Sequence, residues 1–439
     1  MKVLMFGWEF PPHISGGLGT ACFGLTQSLT QGGTQILFVV PRAYGDEALR
    51  LINASEILIS EPDKTIVAPA STSTLTQTGM EVINIPSNLK PYLSANQEGQ
   101  GYAIEEWSYE IATAHLSSDR VEKGKAKKYK FSGTYGPQLL EEVAHYSEVA
   151  GALAKYHSFD VIHAHDWLTY QAGIAAKEVS GKPLIVHVHA TEFDRAAIID
   201  KRVFAIECEG LEKADRIVAV SNWTKRILIS NYHISEKKIS VVHNGMVSKK
   251  SVSSIKPNRI SNQIVTFLGR ITHQKGPEYF IEAARKVLSR LPNVHFVMAG
   301  SGDMLPAMIE RVALLRLSSR FHFTGFLNAA QVDRIWTISD LYVMPSVSEP
   351  FGIAPLEAIQ AGVPVIISKQ SGVAEVMPHA IQLDFWNVDS LANAIYSVLR
   401  HKSLAKTLRK KSKKSLQQIT WDVAASRIKN LYHELANQN

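Results

Sequence analysis

Beyond Gln263 the chain alternates short apolar runs with helix-length amphipathic segments, and that alternation leaves few folds open. Apolar runs at Ile264 to Gly269, His295 to Gly300, Phe321 to Thr324, Leu341 to Met344 and Val363 to Ile367 are too short to be helices. Helical patterns separate them, at Pro277 to Leu291 and from about Met304. A strand buried on both faces reads as a continuous apolar run, and such strands separated by helices form a parallel, doubly wound sheet. The first half repeats the pattern: Lys2 to Gly7, Gln35 to Val40, Asp160 to His165, Pro183 to His189, Arg216 to Val220 and Lys238 to His243 read as strands. At 439 residues the chain exceeds one compact core. The expected organisation is a first domain over 1–248, a polar linker over 249–262, a second domain over 263–418 and a closing helix over 419–439. Residues 45–135, rich in Ser, Thr, Asn and Gly, read as an insertion in the first domain.

Several function classes drop out on composition. Charged residues make up 20% and apolar residues 45%, ordinary for a soluble globular protein. The net charge of +7 suits an anionic ligand but is not specific for one. Cys22 and Cys208 are the two cysteines, each in an apolar or helical segment, which points to buried thiols. MKVLMFGWEFPP reads as a strand and loop, not a signal peptide, and no run approaches the length of a membrane span. A cytoplasmic enzyme is the expectation.

Chemistry-bearing residues sit where these strands end. In SVSEPFGIAPLEAIQAG, residues 346–362, Glu349 and Glu357 stand eight apart around a predicted helix start. Pro355 suits the first helical position, Glu357 then falls at about the third, and Gly362 closes the helix. Helix-start amides favour an anion, typically phosphate, while carboxylates accept hydrogen bonds from hydroxyls. A hydroxyl-rich ligand with a central diphosphate would engage both. In GRITHQKG, residues 269–276, Arg270 and Lys275 can converge on one anion. Gly300 and Gly325 end two further strands and are predicted to line the same pocket. In the first half Gly16, Gly17 and Gly19 allow close backbone approach at a helix start, in a pattern that is not G-x-G-x-x-G. His163 and His165 face one side of a strand, but a metal site would need a third ligand in register.

E-P-F-G-x-x-x-x-E resembles the E-x7-E motif of retaining glycosyltransferases with the GT-B fold, families 4 and 5, which include glycogen synthases. GGLG, HAHDW and G-R-x-x-x-x-K-G are similar to further family motifs, in the family's order. The resemblance implies two Rossmann-like domains facing an interdomain cleft. It implies an ADP- or UDP-sugar donor, a glucan acceptor, and no cofactor or metal. Carried over residue by residue, His189 contacts the donor sugar near the reacting carbon, with His187 the competing choice. Arg270 and Lys275 stabilise the departing diphosphate, helped by Gly16, Gly17, Gly352 and Ile353. Glu349 orients sugar hydroxyls, Glu357 holds the ribose, and Gly300 and Gly325 border the nucleotide. One departure stands out: family 5 carries lysine in K-T-G-G-L-G where this chain has Ile14. That favours the family 4 branch, whose members also glycosylate lipids, cell-surface polysaccharides and small molecules. Other expectations are a glycan-binding protein on an inactive scaffold and, more weakly, a sugar-nucleotide epimerase. Nucleic acid is not an expected partner. The basic tail HKSLAKTLRKKSKK, residues 401–414, reads as a solvated helix face, with a membrane-surface patch as the alternative and no other segment offering membrane contact.

Overall fold

The structure is a computed structural model that describes residues 1–11, 17–41, 138–195, 198–246 and 262–437, together with the backbone of five short strands between 51 and 127. Gly16, most of the 45–135 insertion and nearly all of the 249–262 linker lie outside the described residues.

The first domain carries β1 (Lys2–Phe6), β2 (Gln35–Val40), β3 (Leu51–Ile52), β4 (Leu58–Ser60), β5 (Thr65–Val67), β6 (Met80–Asn84), β7 (Ala126–Lys127), β8 (Val161–His165), β9 (Leu184–Val188), β10 (Arg216–Ala219) and β11 (Ile239–Val241). Eight of them form one sheet in the order β11-β10-β9-β8-β1-β2-β6-β3, and β5-β4-β7 form a small separate sheet. The pairings of the large sheet are parallel. The second domain holds β12 (Ile264–Leu268), β13 (His295–Ala299), β14 (Phe321–Gly325), β15 (Leu341–Met344), β16 (Val365–Ser368) and β17 (Ile381–Leu383). They form a parallel sheet in the order β14-β13-β12-β15-β16-β17.

Both sheets reverse their winding at one point. In the first sheet β2 lies to one side of β1 and β8 to the other; in the second, β13 and β15 flank β12. Loops leaving the strand ends on either side of such a point diverge and open a crevice. The crevice of the second sheet is bordered by the segments after β12 and β15, which carry Arg270, Lys275, Glu349 and Glu357. In the first sheet the helix after β8 begins at Trp167, directly after the HAHD segment.

The helices form for identifiable local reasons. Ser221 caps Asn222–Tyr232 by accepting from the Thr224 amide, and Asn328 and Gln331 form a reciprocal capping box before Ala329–Ile338. The helix after β15 spans Ala354–Gln360, so Pro355 occupies its second position and Glu357 its fourth, one residue later than the sequence suggests. Gly362 follows with φ +81°, a left-handed geometry that glycine adopts without strain.

The closing helix Trp421–Ala436 leaves the second domain and packs on the first. Trp421, Ile428, Tyr432 and Leu435 join a buried cluster with Val3, Leu25 and Phe38. Gly24 on the helix Gly17–Gln31 makes room for the Trp421 indole: a Cβ there would lie 2.2 Å from Trp421 Nε1.

Candidate active site

Three loops of the second domain interlock at the ends of β12, β13 and β15. Gly269 and Gly300 pack so closely that a Cβ on Gly300 would sit 1.9 Å from the Gly269 carbonyl oxygen. The Gly300 amide donates to the Gly325 carbonyl at 2.9 Å, placing these two glycines on one rim. Gly276, at φ +63°, has no space for a side chain, since a Cβ would be 2.2 Å from Pro345 O. The Val347 amide donates to Gln274 O at 2.9 Å, tying the Arg270–Lys275 loop to the loop that carries Glu349.

Charges from separate strand ends therefore meet. The Lys275 ammonium donates to Glu349 Oε2 at 2.5 Å, and the Ser346 hydroxyl donates to the same oxygen at 3.4 Å. Side-chain exposure is 19% for Lys275 and 9% for Glu349, so water screens the pair only partly. Arg270 Nη2 donates to Gln274 Oε1 at 3.0 Å, which points the guanidinium along the same loop. Burial pushes the Tyr342 phenol up, with the Glu349 and Glu357 charges adding to the effect, so both carboxylates lie close to one buried tyrosine. Gly352, at φ +97°, turns the chain against the Glu349 side chain just before Ile353 and the helix start. Arg270, Lys275, Glu349, Gly352, Ile353 and Glu357 thus belong to one crevice, with Gly300 and Gly325 on its edge.

In the first domain, His189 follows the end of β9 beside the elbow that carries Asp166. The backbone amides of His189 and Ala190 donate to Asp166 Oδ1 at 2.6 and 3.3 Å. Asp166 holds φ +60°, an uncommon geometry for a non-glycine residue, at the elbow between β8 and the next helix. Burial drives its carboxyl up to about 6, against the opposing pull of Arg195 and those two amides. Burial also lowers His189, to about 3, so its imidazole is neutral at ordinary pH. Gly17 begins its helix in open space, with no heavy atom within 4 Å of where a Cβ would be.

Side chains bridge the two domains beside the crevice. Ser348, adjacent to Glu349, donates to Asp194 Oδ1 at 2.5 Å and accepts from the Trp223 indole at 3.1 Å. The Ser221 hydroxyl donates to the Pro350 carbonyl at 2.6 Å. Glu375 accepts from the Asn222 amide (2.9 Å) and side chain (2.9 Å), the Trp223 amide (2.8 Å) and His243 Nε2 (2.8 Å). Burial alone would raise the Glu375 carboxyl, but the His243, Asn222 and Trp223 hydrogen bonds bring it below the ordinary glutamate range. This is a carboxylate of one domain seated on a helix N-terminus of the other. Sequence reasoning missed Asp166, Asp194, Ser348 and Glu375. Asp166 and Ser348 left a trace, inside the HAHDW and SVSEPFG stretches, but no role followed from either position.

Glu375→Ala is expected to loosen the domain pair and raise the donor KM about 10-fold, since a charge-assisted contact contributes on the order of 1.5–3 kcal/mol. Small-angle scattering should show a larger radius of gyration. An unchanged radius together with an unchanged KM would remove Glu375 from the closure.

Comparison with known proteins matches the two domains separately. Residues 251–415 match the family model described as glycosyl transferases group 1, and residues 115–248 match glycosyltransferase family 4. The chain is a glycosyltransferase of the GT-B fold. An uncharacterised glycosyltransferase of Methanocaldococcus jannaschii is 26% identical over 98% of this chain and 98% of its own. A glycogen synthase of Mycobacterium tuberculosis is 22% identical over 98% of this chain and 94% of its own. Among solved structures, sucrose-phosphate synthase from Thermosynechococcus elongatus superposes with TM-score 0.69 at 17% identity, covering all of both chains. The catalytic domain of starch synthase IV from Arabidopsis thaliana, bound to ADP and acarbose, gives TM-score 0.67 at 15% identity, covering 99% of each chain. These structures share the transferase's fold. Among the described residues no helix is long and apolar enough to cross a membrane.

Proposed function

We propose that the chain transfers a glucosyl unit from an ADP- or UDP-sugar to an α-1,4-glucan, with retention at the anomeric carbon. The observation that carries this reading is the meeting of Lys275 and Glu349 at 2.5 Å in the crevice beside Arg270. A nucleoside diphosphate gains negative charge as the glycosidic bond breaks, and fixed cations lower that barrier. Arg270 and Lys275 hold the diphosphate with the amides of Gly17, Gly352 and Ile353, and Gly16 borders the same loop. Glu349 then exchanges part of its contact with Lys275 for sugar hydroxyls, and Glu357 takes the ribose. Neutral His189, held by Asp166 through its own backbone amide, donates a hydrogen bond to the sugar near the reacting carbon. The acceptor attacks from the face the diphosphate leaves, and the two cations make a metal ion at the diphosphate unnecessary. The glucan acceptor is supported by the end-to-end similarity to a protein named glycogen synthase and by the starch synthase fold.

A lipid or cell-surface acceptor is the second reading, and one observation favours it. The helix Lys402–Leu416 carries seven cationic residues and no Asp or Glu, with six lysines exposed to solvent. Such a face attracts anionic headgroups.

The deciding assay offers ADP-glucose and UDP-glucose with either glycogen or lipid extract, and follows both nucleotide release and label in the polymer. Donor-dependent incorporation into glycogen is expected. Label in lipid alone would replace the glucan acceptor with the second reading, and no nucleotide release with any donor would overturn the transferase mechanism.

A further inference from the structure

β8 and β9 pair in parallel with His165 opposite His187, so the alternating His163 and His165 of one strand stand beside His187 of the next on a single face. The three side chains are buried, at 0%, 0% and 2% exposure. Their ring centroids are 4.3 Å apart for His163 and His165, 5.1 Å for His165 and His187, and 5.4 Å for His163 and His187. One ring nitrogen from each lies within 4.8 Å of those of the other two. The third ligand that a reading of one strand lacks comes from its neighbour.

Hydrogen bonding leaves these nitrogens open. His163 Nε2, His165 Nε2 and both nitrogens of His187 have no hydrogen-bond partner. Every neutral imidazole carries one N–H, so His187 buries an orphaned donor, which costs on the order of 1–3 kcal/mol. The opposite nitrogens of the other two rings are held: His163 Nδ1 meets Tyr432 OH at 2.6 Å, and His165 Nδ1 meets His189 Nε2 at 3.0 Å. With Nδ1–H donating in both, the two Nε2 lone pairs are bare. Metal-binding histidines take this arrangement, the far nitrogen anchored and the near one free.

We propose that His163, His165 and His187 form a binding site for a divalent transition-metal ion, Zn²⁺ in the first instance, beneath the first-domain wall of the cleft. Three imidazoles suit Zn²⁺, Co²⁺, Ni²⁺ or Cu²⁺ far better than Mg²⁺ or Ca²⁺, which take oxygen ligands. Cys22 adjoins the site, its thiol clustering with His165 and His189. An ion here would fix His165 and, through its Nδ1, the tautomer of His189. The proposal does not depend on the identity of donor or acceptor.

The test uses the full-length protein, stripped with a chelator and dialysed against micromolar Zn²⁺, with bound metal counted by mass spectrometry. One Zn²⁺ per chain is expected, and Co²⁺ should give the intense visible bands of a four-coordinate site. Tyr432→Phe removes the anchor of His163 and should weaken binding roughly 10–100-fold. His187→Gln, which breaks no side-chain hydrogen bond, should weaken it further. His322→Gln at the exposed, stacked His295–His322 pair should change nothing. Should His187→Gln fail to fold by circular dichroism, the wild-type stoichiometry, the Co²⁺ spectrum and Tyr432→Phe still decide. Substoichiometric Zn²⁺ in the wild type would overturn the site. So would wild-type affinity in folded His187→Gln or in Tyr432→Phe, or loss of binding in His322→Gln.

Discussion

Lys275→Ala is expected to lower kcat about 100- to 1,000-fold, with the donor KM changed much less, because its charge acts most on the departing diphosphate. The variant also strands a carboxylate. Glu349 is 9% exposed and would keep only the Ser346 hydroxyl at 3.4 Å and its loop neighbours. Breaking a buried ion pair by removing one partner costs on the order of 3–5 kcal/mol, so a loss of activity by itself could be a loss of folding.

The double variant Lys275→Ala/Glu349→Gln separates the two effects. Removing the stranded charge should recover most of the lost stability, read by thermal unfolding, and none of the lost kcat. Lys275→Arg should recover stability and only part of the rate, because a planar guanidinium cannot occupy the space of a compact ammonium. Arg270→Ala should lower kcat in the same direction, because its guanidinium shares the loop with Lys275 and acts on the same departing charge. Full turnover in a folded Lys275→Ala protein would end the role assigned to this residue.

The parallel architecture was legible because strands buried on both faces are apolar over most of their length: β15 is so throughout, and β12 and β16 depart only at Thr266 and Ser368. The crevice charges were legible for a related reason. Arg270, Lys275 and Glu349 each follow such a strand and precede a helix, and the topology gathers strand ends at the winding reversal. What stayed hidden depends on which strands and domains become neighbours. His187 completes the histidine cluster only through the β8–β9 register, a pairing that neither strand encodes alone. Ser348 and Asp194 meet across 154 positions and two domains, and no local spacing marks a contact of that range. Asp166 stands in the sequence only as part of HAHDW at a strand end; its positive φ and its grip on the His189 amide belong to the assembled elbow.

The closing helix gives the largest expected effect on stability, because its anchoring residues lie in the first domain's core while its chain connection is to the second. Trp421 is 5% exposed and fills the space that Gly24 leaves open. The Asp422 carboxylate accepts from Ser28, Lys429 reaches the Gly32 carbonyl, and Tyr432 meets His163. Trp421→Ala deletes the indole and leaves a void between two helices. A buried tryptophan truncated this way costs about 3–5 kcal/mol, which should lower the first domain's unfolding temperature by roughly 10 °C. Calorimetry should show the loss confined to one transition, with the second domain's transition little moved. Gly24→Ala attacks the same contact from the other side, forcing a methyl into the indole, and should shift the same transition by a smaller amount. A Trp421→Ala transition that stays near the wild-type temperature would mean that the helix rests on the first domain without holding it together, and Gly24→Ala should then be silent as well.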